Sequence, residues 1–217
     1  MRRIVSQGEA YKYWAETFDE GTPILALESR VLEPMFEDVA GARVVDVGCG
    51  TGRWLRWMMA RGATAVGCDL SREMLLRPPR DRVARADGLS LPFRDGWADV
   101  ALCALAMGHM RPVAGAMGEL ARIARPGGRV VVSDFHPEAL RRGWKRTFQH
   151  GGETMEMESD VYDVAELGHR DLMRESFTEA AFGEQERHYF EAAGKARWFD
   201  ENREQAAILV ATFRRRA

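Results

Sequence analysis

The sequence predicts a parallel α/β fold, in which the strands of one sheet alternate along the chain with helices that cover it. Two observations predict this fold. Short apolar runs typical of buried strands alternate five times with segments whose apolar residues recur at helical spacing. The run over residues 97–106 is almost continuously apolar, as expected of a parallel strand that is buried on both faces. Chains that alternate in this way form parallel sheets covered by helices.

Length and composition are those of an ordinary globular protein. With 217 residues, 46% of them hydrophobic and 29% charged, we expect one domain over residues 1–217. A formal charge of −2 gives no global attraction for nucleic acid or an anionic membrane, and no apolar stretch reaches the length of a membrane span. No signal peptide follows the basic start of the chain. Cys49, Cys68 and Cys103 lie in apolar surroundings, so we expect a cytoplasmic protein with no disulfide framework and no metal site. The oligomeric state, monomer or homodimer, is not indicated by the sequence.

Two helices are predicted before the sheet begins. Residues 4–20 carry aromatic side chains among charged ones and end at the breaker Gly21-Thr22-Pro23. Residues 24–39 have one apolar face and form the second helix. Considered by itself, the aromatic helix is expected to pack on the core.

The strands and helices of the sheet follow in order. Residues 44–47 form the first predicted strand, and residues 53–61 form a helix that ends at Gly62. The next predicted elements are a strand at 63–68, a short helix capped by Ser71 and broken by Pro78-Pro79, strands at 83–86 and 97–106, a helix at 113–124 stopped by Pro126-Gly127-Gly128, and a strand at 129–133.

Beyond residue 134 the pattern is less regular. Residues 161–176 are predicted to form a helix, and residues 177–190 and 205–215 two antiparallel strands. A run of basic residues between Arg141 and Arg146 surrounds Trp144. Such a run is most often a solvated face, and the alternative is that it holds an acidic group of a substrate.

A glycine-rich turn after the first strand is the feature around which the chain is organised. Residues 44–52 read Val-Val-Asp-Val-Gly-Cys-Gly-Thr-Gly and lead directly into the helix that begins at Arg53. Strand, glycine turn and helix N-terminus together allow the backbone to approach a ligand closely. The glycine spacing differs from the dinucleotide pattern G-x-G-x-x-G, whose third glycine is replaced here by Arg53. Asp46, just before the turn, indicates a ligand with a cationic group or hydroxyls.

Four acidic residues occupy equivalent places at predicted strand ends. They are Asp46, Asp69, Asp87 and Asp134. Ligands of parallel α/β sheets bind at the carboxyl ends of the strands. One acid at a strand end carries little information, but four in equivalent positions predict a binding site at this edge.

Five segments in order resemble the class I S-adenosylmethionine-dependent methyltransferases, in particular the small bacterial enzymes near those of ubiquinone and biotin synthesis. The resemblance covers about residues 8–134. The segments are Asp46–Gly52, Gly67–Ser71, Ala86–Phe93, Asp99–His109 and Arg125–Arg129. Each is weakly specific alone, whereas five in order at the family's spacing are strongly specific. The resemblance implies a Rossmann-like, seven-stranded, mostly parallel sheet with helices on both faces and the last strand antiparallel.

The resemblance also implies a cofactor, S-adenosylmethionine, and roles for individual residues. The turn formed by Gly48, Cys49, Gly50 and Gly52 admits the methionine moiety, with Asp46 near its ammonium group. Asp69, followed by Leu70, takes the ribose hydroxyls. Asp87 accepts from the adenine amino group, the backbone at Gly88 and Leu89 contacts the ring edge, and the backbone of Cys103 lies beside the cofactor. Tyr11 and Trp14 resemble the family's aromatic N-terminal lid, within a predicted helical lid of residues 1–40. A family tyrosine further along is Phe18 here, so its hydroxyl contact is lost.

Three residues are candidates for catalysis, beside a cofactor-binding core of residues 41–134. His109 follows the fourth strand and is expected to face the methyl group, with a packing histidine as the equal alternative. Asp134 and His136 close the fifth strand, where a turn with Asp134 bonded to backbone is the alternative. A general base is needed only when the acceptor must lose a proton.

The leading functional hypothesis is methyl transfer to the oxygen or nitrogen of a small metabolite. Alternatives are C-methylation of a quinone-like ring and a cofactor-binding regulator that has lost catalysis. A nucleotide-dependent oxidoreductase is disfavoured by Arg53 and the acid pattern, and an RNA methyltransferase by the lack of a basic face. Acceptor specificity is expected to lie in the lid and in residues 135–175, within a substrate-side region of residues 135–217.

Overall fold

A seven-stranded sheet forms the centre of the computed structural model, which describes residues 2–217. Its strands are β2 Arg43–Val47, β3 Thr64–Asp69, β4 Val83–Arg85, β5 Ala98–Ala104, β6 Ala124–Phe135, β9 Leu172–Ala181 and β10 Ala206–Arg215. They lie in the order β4-β3-β2-β5-β6-β10-β9. The first five in that order are parallel, and β10 is antiparallel to both β6 and β9. The predicted insertion of the last strand, antiparallel, into a mostly parallel sheet is confirmed.

Helices cover both faces because alternate residues of the central strands point to opposite sides. Val45 and Ala101 belong to one hydrophobic core, which α4 (Val113–Ile123) completes. Val44 and Leu102 belong to the other, against α2 (Pro23–Leu32) and α3 (Arg53–Met59). The remaining helices are α1 Gln7–Trp14, α5 Pro137–Arg141, α6 Arg187–Ala192 and α7 Ala196–Asn202. None of the helices in residues 2–217 is long and apolar enough to cross a membrane.

A second, three-stranded sheet, which the sequence did not predict, lies beside the main one. β1 (Arg2–Val5) pairs in parallel with β8 (Glu153–Met157), and β8 pairs with β7 (Arg146–His150). Together with α1 this sheet encloses a small core, built by Val5, Ala10, Phe148, Met155 and Met157. We call residues 2–14 with residues 146–157 the cap. The N-terminal segment is therefore joined to the irregular tail rather than packed alone.

Two predictions for the tail are wrong. The helix expected over residues 161–176 is only a 3₁₀ turn, Val164–Glu166, which Asp163 caps and Gly168 follows. The chain then extends into β9, an edge strand whose residues pair with β10, so sheet pairing overrides the apolar spacing that suggested a helix. Of the strand expected over 177–190, residues 177–181 belong to β9, and the rest form a turn and α6.

The start of β6 also differs from the prediction. The strand begins at Ala124 instead of residue 129, directly after α4. Pro126-Gly127-Gly128 stops the helix as expected, but the segment lies within β6. It forms an irregular part of that strand, where the register with β5 shifts between Ala98 and Val100.

Candidate active site

A cavity of about 410 Å³ opens at the carboxyl ends of β2, β3 and β5. It is the place where a parallel sheet is expected to bind a ligand. Most of the predicted cofactor residues line it, together with one catalytic candidate: Tyr11, Asp46, Gly48, Cys49, Gly50, Asp69, Leu70, Asp87, Gly88 and His109. The structure therefore brings together side chains from the N-terminal helix, three strand ends and the loop after β5.

The glycine turn takes backbone angles that only glycine adopts readily. Gly48 and Gly52 have φ of +74° and +78°. A Cβ on Gly48 would lie 2.5 Å from the Ala106 Cβ, and one on Gly52 would lie 2.5 Å from the Pro78 Cβ. Gly52 thus shapes the turn without lining the cavity, and α3 begins directly after it. The turn brings backbone, not side chains, to the cavity.

Asp69 fastens the glycine turn to the neighbouring strand end. Its carboxylate accepts a hydrogen bond from the Gly50 N–H at 2.9 Å and another from the Ser71 N–H at 2.8 Å. Burial raises the pKa of Asp69, and these backbone donors act in the opposite direction. The residue therefore holds two loops at the correct distance while its carboxylate lines the cavity.

Asp46 is the buried acid of the site. Its side chain is almost inaccessible, and Oδ1 has no hydrogen-bond partner. Burial raises the pKa of Asp46 to about 8; Arg53 opposes the rise, and the carboxylates of Glu28 and Asp69 add to it. A buried, unpaired carboxylate oxygen beside a cavity is costly to the protein alone. It is suited to a ligand that brings a positive charge.

Arg53 lines the cavity, and contacts with neighbouring side chains hold its guanidinium in place. Its guanidinium pairs with the buried Glu28, donates to Ser29 Oγ at 2.7 Å and lies over the Trp54 ring. Glu28 also accepts from the indole N–H of Trp54 and the hydroxyl of Ser133. No sequence pattern predicts this arrangement, because Glu28 lies on a helix that precedes the sheet.

The far end of the cavity is closed by a network around His109. Tyr11 Oη lies 2.8 Å from His109 Nε2, and Arg146 Nη1 lies 2.6 Å from the same nitrogen. Arg146 Nη2 donates to Asp134 Oδ1 at 2.8 Å, and the Gly108 N–H donates to Asp134 Oδ2 at 2.6 Å. Because a guanidinium only donates, Nε2 is the acceptor, and the proton of the neutral ring lies on Nδ1.

This network makes His109 a poor proton acceptor. Burial lowers the pKa of His109 to about 3, and the Arg146 charge contributes to the shift. Its Nε2 lone pair already receives the Arg146 donor, and Nδ1 is buried with no partner. Burial likewise raises the pKa of Tyr11 to about 12. At neutral pH neither His109 nor Tyr11 is ready to transfer a proton. The hydrogen bonds of the network therefore hold these two side chains in fixed orientations.

Five other predicted residues do not line the cavity. Trp14 stacks on Phe148 in the cap, with ring centroids 4.9 Å apart. The Leu89 N–H donates to Asp87 Oδ1 at 2.9 Å, and Cys103 is fully buried within β5. After β5 the cavity is lined instead by residues 104–106, among which Leu105 has a φ of +55°. The remaining two, Asp134 and His136, are the catalytic candidates.

Asp134 and His136 have structural partners. Asp134 is completely buried and bonds to the backbone of Gly108 and Phe135 and to Arg146, as the alternative interpretation held. His136 caps α5, since its Nδ1 accepts from the Glu138 N–H at 3.2 Å, and its Nε2 lies 2.7 Å from Glu179. The structure places both outside the cavity.

Arg146 is the residue of this region that the sequence misassigned. It belongs to the basic run for which the sequence favours a solvated face, yet only 5% of its side chain is exposed. Its partner Asp134 lies 12 residues earlier, and no sequence pattern links the two. Among the residues 2–217 that the structure describes, no cluster of His, Cys, Asp and Glu could hold a metal ion.

Comparison with known proteins identifies relatives of the part of the chain that forms the site. Residues 45–132 match the model of the family described as methyltransferase domain. The methyltransferase GfsG of Streptomyces halstedii is 34% identical over 150 residues, which cover 62% of this chain and 53% of GfsG. Demethylmenaquinone methyltransferase of Corynebacterium kroppenstedtii is 38% identical over 98 residues, covering 44% of this chain and 42% of that protein. The chain thus matches about half the length of these curated relatives.

Solved structures extend the likeness to the fold. The crystal structure of an S-adenosylmethionine-dependent methyltransferase from Mesorhizobium loti superposes with a TM-score of 0.66 at 22% identity. The superposition covers 88% of this chain and all of the other. At this identity the likeness concerns the arrangement of the sheet and its helices.

Proposed function

We propose that the chain contains a class I S-adenosylmethionine-dependent methyltransferase domain and that it transfers a methyl group from S-adenosylmethionine to a small organic acceptor. One observation carries the proposal furthest. The unpaired oxygen of Asp46 is buried beside a cavity whose floor is the glycine turn. The amino acid end of the cofactor carries an ammonium group. This group would supply the hydrogen-bond donor and the positive charge that Asp46 Oδ1 lacks in the protein alone.

The remaining residues of the cavity fit the rest of the cofactor. The glycine turn leaves room where any Cβ at Gly48 would collide with Ala106. Asp69, at the end of β3, has a carboxylate that can accept from two ribose hydroxyls. Asp87 and Gly88, after β4, lie where the adenine ring would be recognised. When bound, the cofactor supplies a sulfonium methyl group that is already activated for transfer.

The residues around His109 are proposed to position the acceptor rather than to remove its proton. His109 is neutral at physiological pH because its pKa is about 3. A general base is most effective when its pKa lies near the working pH. Rate enhancement then comes from alignment of acceptor, methyl carbon and sulfur, and from the exclusion of water by the cap. An acceptor that is already ionised, or a nucleophilic ring carbon, suits this site.

C-methylation of a quinone-like ring is a second candidate. It is favoured by the similarity to a demethylmenaquinone methyltransferase and by the neutral state of His109. A regulator that binds the cofactor without transferring its methyl group is the third.

Transfer of a labelled methyl group tests the proposal. The purified protein is incubated with S-adenosylmethionine labelled in the methyl group and with separate sets of hydroxyl, carboxylate, amine and electron-rich ring acceptors. Label in an extractable product is the expected result, and its position tells O-, N- and C-methylation apart. If the cofactor binds but its label is retained with every set, the regulator interpretation replaces the enzyme.

Asp69→Ala is expected to weaken cofactor binding by about tenfold to a hundredfold. The alanine removes the charge-assisted hydrogen bonding to the ribose, worth about 1.5–3 kcal/mol in total, as well as the anchor of the Gly50 N–H. Calorimetry with S-adenosylhomocysteine measures the change. Asp81→Ala is the matched control, because Asp81 is exposed and pairs only with Arg82. Equal affinity of the Asp69 variant and the wild type would make Asp69 merely a turn residue.

A further inference from the structure

A second cavity, of about 650 Å³, lies beside the cap. Its walls come from the cap, the segment around Trp144, the N-terminal end of α2 and the two short helices α6 and α7. No residue predicted to bind the cofactor lines it except Trp14. It is therefore separate from the site described above.

Aromatic rings form one side of this cavity. Trp144 lies parallel to Phe182, with ring centroids 6.0 Å apart and 11° between the planes. Trp198 meets Trp144 at 4.8 Å and lies nearly parallel to Phe190 at 5.3 Å. Trp144 and Trp198 are only partly buried, so they present ring surface to the cavity. Flat apolar molecules bind well against such rings, which contact them over a large area.

The charge of the lining is entirely positive. Arg2, Arg142, Lys145, Arg146 and Lys195 line the cavity, and the described lining residues include no aspartate or glutamate. The chain as a whole has a formal charge of −2, so this concentration of cations is local. A cleft lined by one sign of charge concentrates ligands of the opposite sign.

Not all of these cations are neutralised by the protein. Arg2 and Lys145 both pair with Glu156, and Arg146 pairs with Asp134. Among residues 2–217, neither Arg142 nor Lys195 lies within salt-bridge distance of a carboxylate. Arg142 donates only to the neutral side chain of Gln205, at 2.9 Å. Two cations are thus left for an anionic group of a ligand.

The second cavity is separated from the first by one layer of side chains. Arg146 lines the second cavity and bonds to His109, which lines the first. Trp14 lines the second and lies parallel to Tyr11, which lines the first, with centroids 6.5 Å apart. A molecule bound against Trp144 and Trp198 would therefore lie directly behind the wall of the cofactor cavity.

We propose that the second cavity binds a planar aromatic molecule with a carboxylate. Its ring packs on Trp144 and Trp198, and its carboxylate pairs with Arg142 and Lys195. This binding site is separate from the cofactor cavity and goes beyond the proposed function.

Binding of 2-naphthoate tests the inference, with 2-naphthamide as the uncharged ligand of the same shape. Intrinsic tryptophan fluorescence and calorimetry measure binding to the whole chain, with and without saturating S-adenosylhomocysteine. We expect 2-naphthoate to bind and to change the fluorescence, and 2-naphthamide to bind about tenfold more weakly or less well still. Both ligands should bind whether or not S-adenosylhomocysteine is present. Equal binding of the two, no binding of 2-naphthoate, or its displacement by S-adenosylhomocysteine overturns the inference.

Two variants separate the cavity from the rest of the protein. Arg142→Gln combined with Lys195→Gln should reduce 2-naphthoate affinity by about tenfold or more while leaving S-adenosylhomocysteine affinity unchanged. Arg170→Gln, at an exposed site elsewhere, should change neither. Unaltered 2-naphthoate affinity in the double variant overturns the assignment of the two cations. If the wild-type protein binds 2-naphthoate but does not bind S-adenosylhomocysteine, the proposed function is refuted, whereas the second cavity is still a binding site.

Discussion

Removal of residues 1–20 is expected to reduce methyl transfer by about a hundredfold or more, because misplacement of reacting groups by ~1 Å already costs on that order. The deleted segment supplies Tyr11 and Phe18 to the cofactor cavity. It also holds the glycine turn, since Thr51 Oγ1 donates to Asp19 Oδ1 at 2.6 Å and Arg56 pairs with Asp19. Cofactor binding should weaken as well.

The main sheet should survive this truncation. Both of its hydrophobic cores are built from buried residues of 24–213, whereas the deleted residues contribute Val5 and Ala10 to the small core of the cap. The alternative is that the aromatic residues of this segment only stabilise the folded protein, each buried ring contributing roughly 1.5–3 kcal/mol. Thermal unfolding and cofactor affinity are measured on the same sample. If truncation lowers the unfolding midpoint but the folded fraction keeps its full affinity for S-adenosylmethionine, the lid function is refuted.

A point variant avoids the exposed cap core that truncation leaves. Tyr11→Phe keeps the ring and removes only the hydroxyl that bonds to His109. Its unfolding midpoint should stay close to that of the wild type, and any loss of methyl transfer then belongs to the Tyr11–His109 contact. Tyr13→Phe is the comparison, because Tyr13 lies on the same helix, stacks on His150 and lines neither cavity.

Asp46→Asn is expected to weaken S-adenosylmethionine binding by at least about tenfold to a hundredfold at pH near 8, since it replaces a charged partner of the ammonium group by a neutral one. In the wild type, binding should strengthen as the pH rises toward 8, because the free protein must ionise Asp46, whose pKa is about 8. Above that pH the ligand's amino group loses its own proton at about 8, so affinity should fall again. The variant should lack the rising limb, as calorimetry across this range can show.

The unliganded protein should respond to the same substitution in the opposite direction. A carboxyl whose pKa is raised on folding contributes stability that is fully present below its unfolded pKa of about 4 and is lost as the pH rises through its folded value. Without ligand, Asp46→Asn should therefore be more stable than the wild type near pH 8. A variant that is less stable there, with cofactor affinity intact, would show that Asp46 has only a structural role.

The part of the chain before residue 135 was predictable because its signals are local. Four of the five parallel strands of the main sheet carry an acid at or near their carboxyl end. The turn is marked by glycines such as Gly48 and Gly52, whose positive φ angles other residues rarely adopt. The insertion of β10 between β6 and β9 was implied by resemblance rather than by any pattern of residues.

What could not be predicted depends on contacts between distant segments. Arg146 becomes a buried ion-pair partner only because β7 is brought beside Asp134. In the cap, Arg2–Val5 pairs with Glu153–Met157, although the whole cofactor-binding core separates the two segments in sequence. Short strands of mixed polarity show little periodicity, so the sequence does not predict this pairing. Likewise the apolar spacing over residues 161–176 fits a helix. Residues 172–176 nevertheless form a strand, because they pair with β10 in the sheet.

Calorimetric titration of the purified protein with S-adenosylmethionine, S-adenosylhomocysteine and NAD tests which cofactor the cavity binds. A cavity built on the turn at Gly48, the unpaired carboxylate of Asp46 and the carboxylate of Asp69 is expected to bind one molecule of either sulfur compound per chain and no NAD. Binding of NAD without binding of S-adenosylmethionine would contradict the assignment of this cavity.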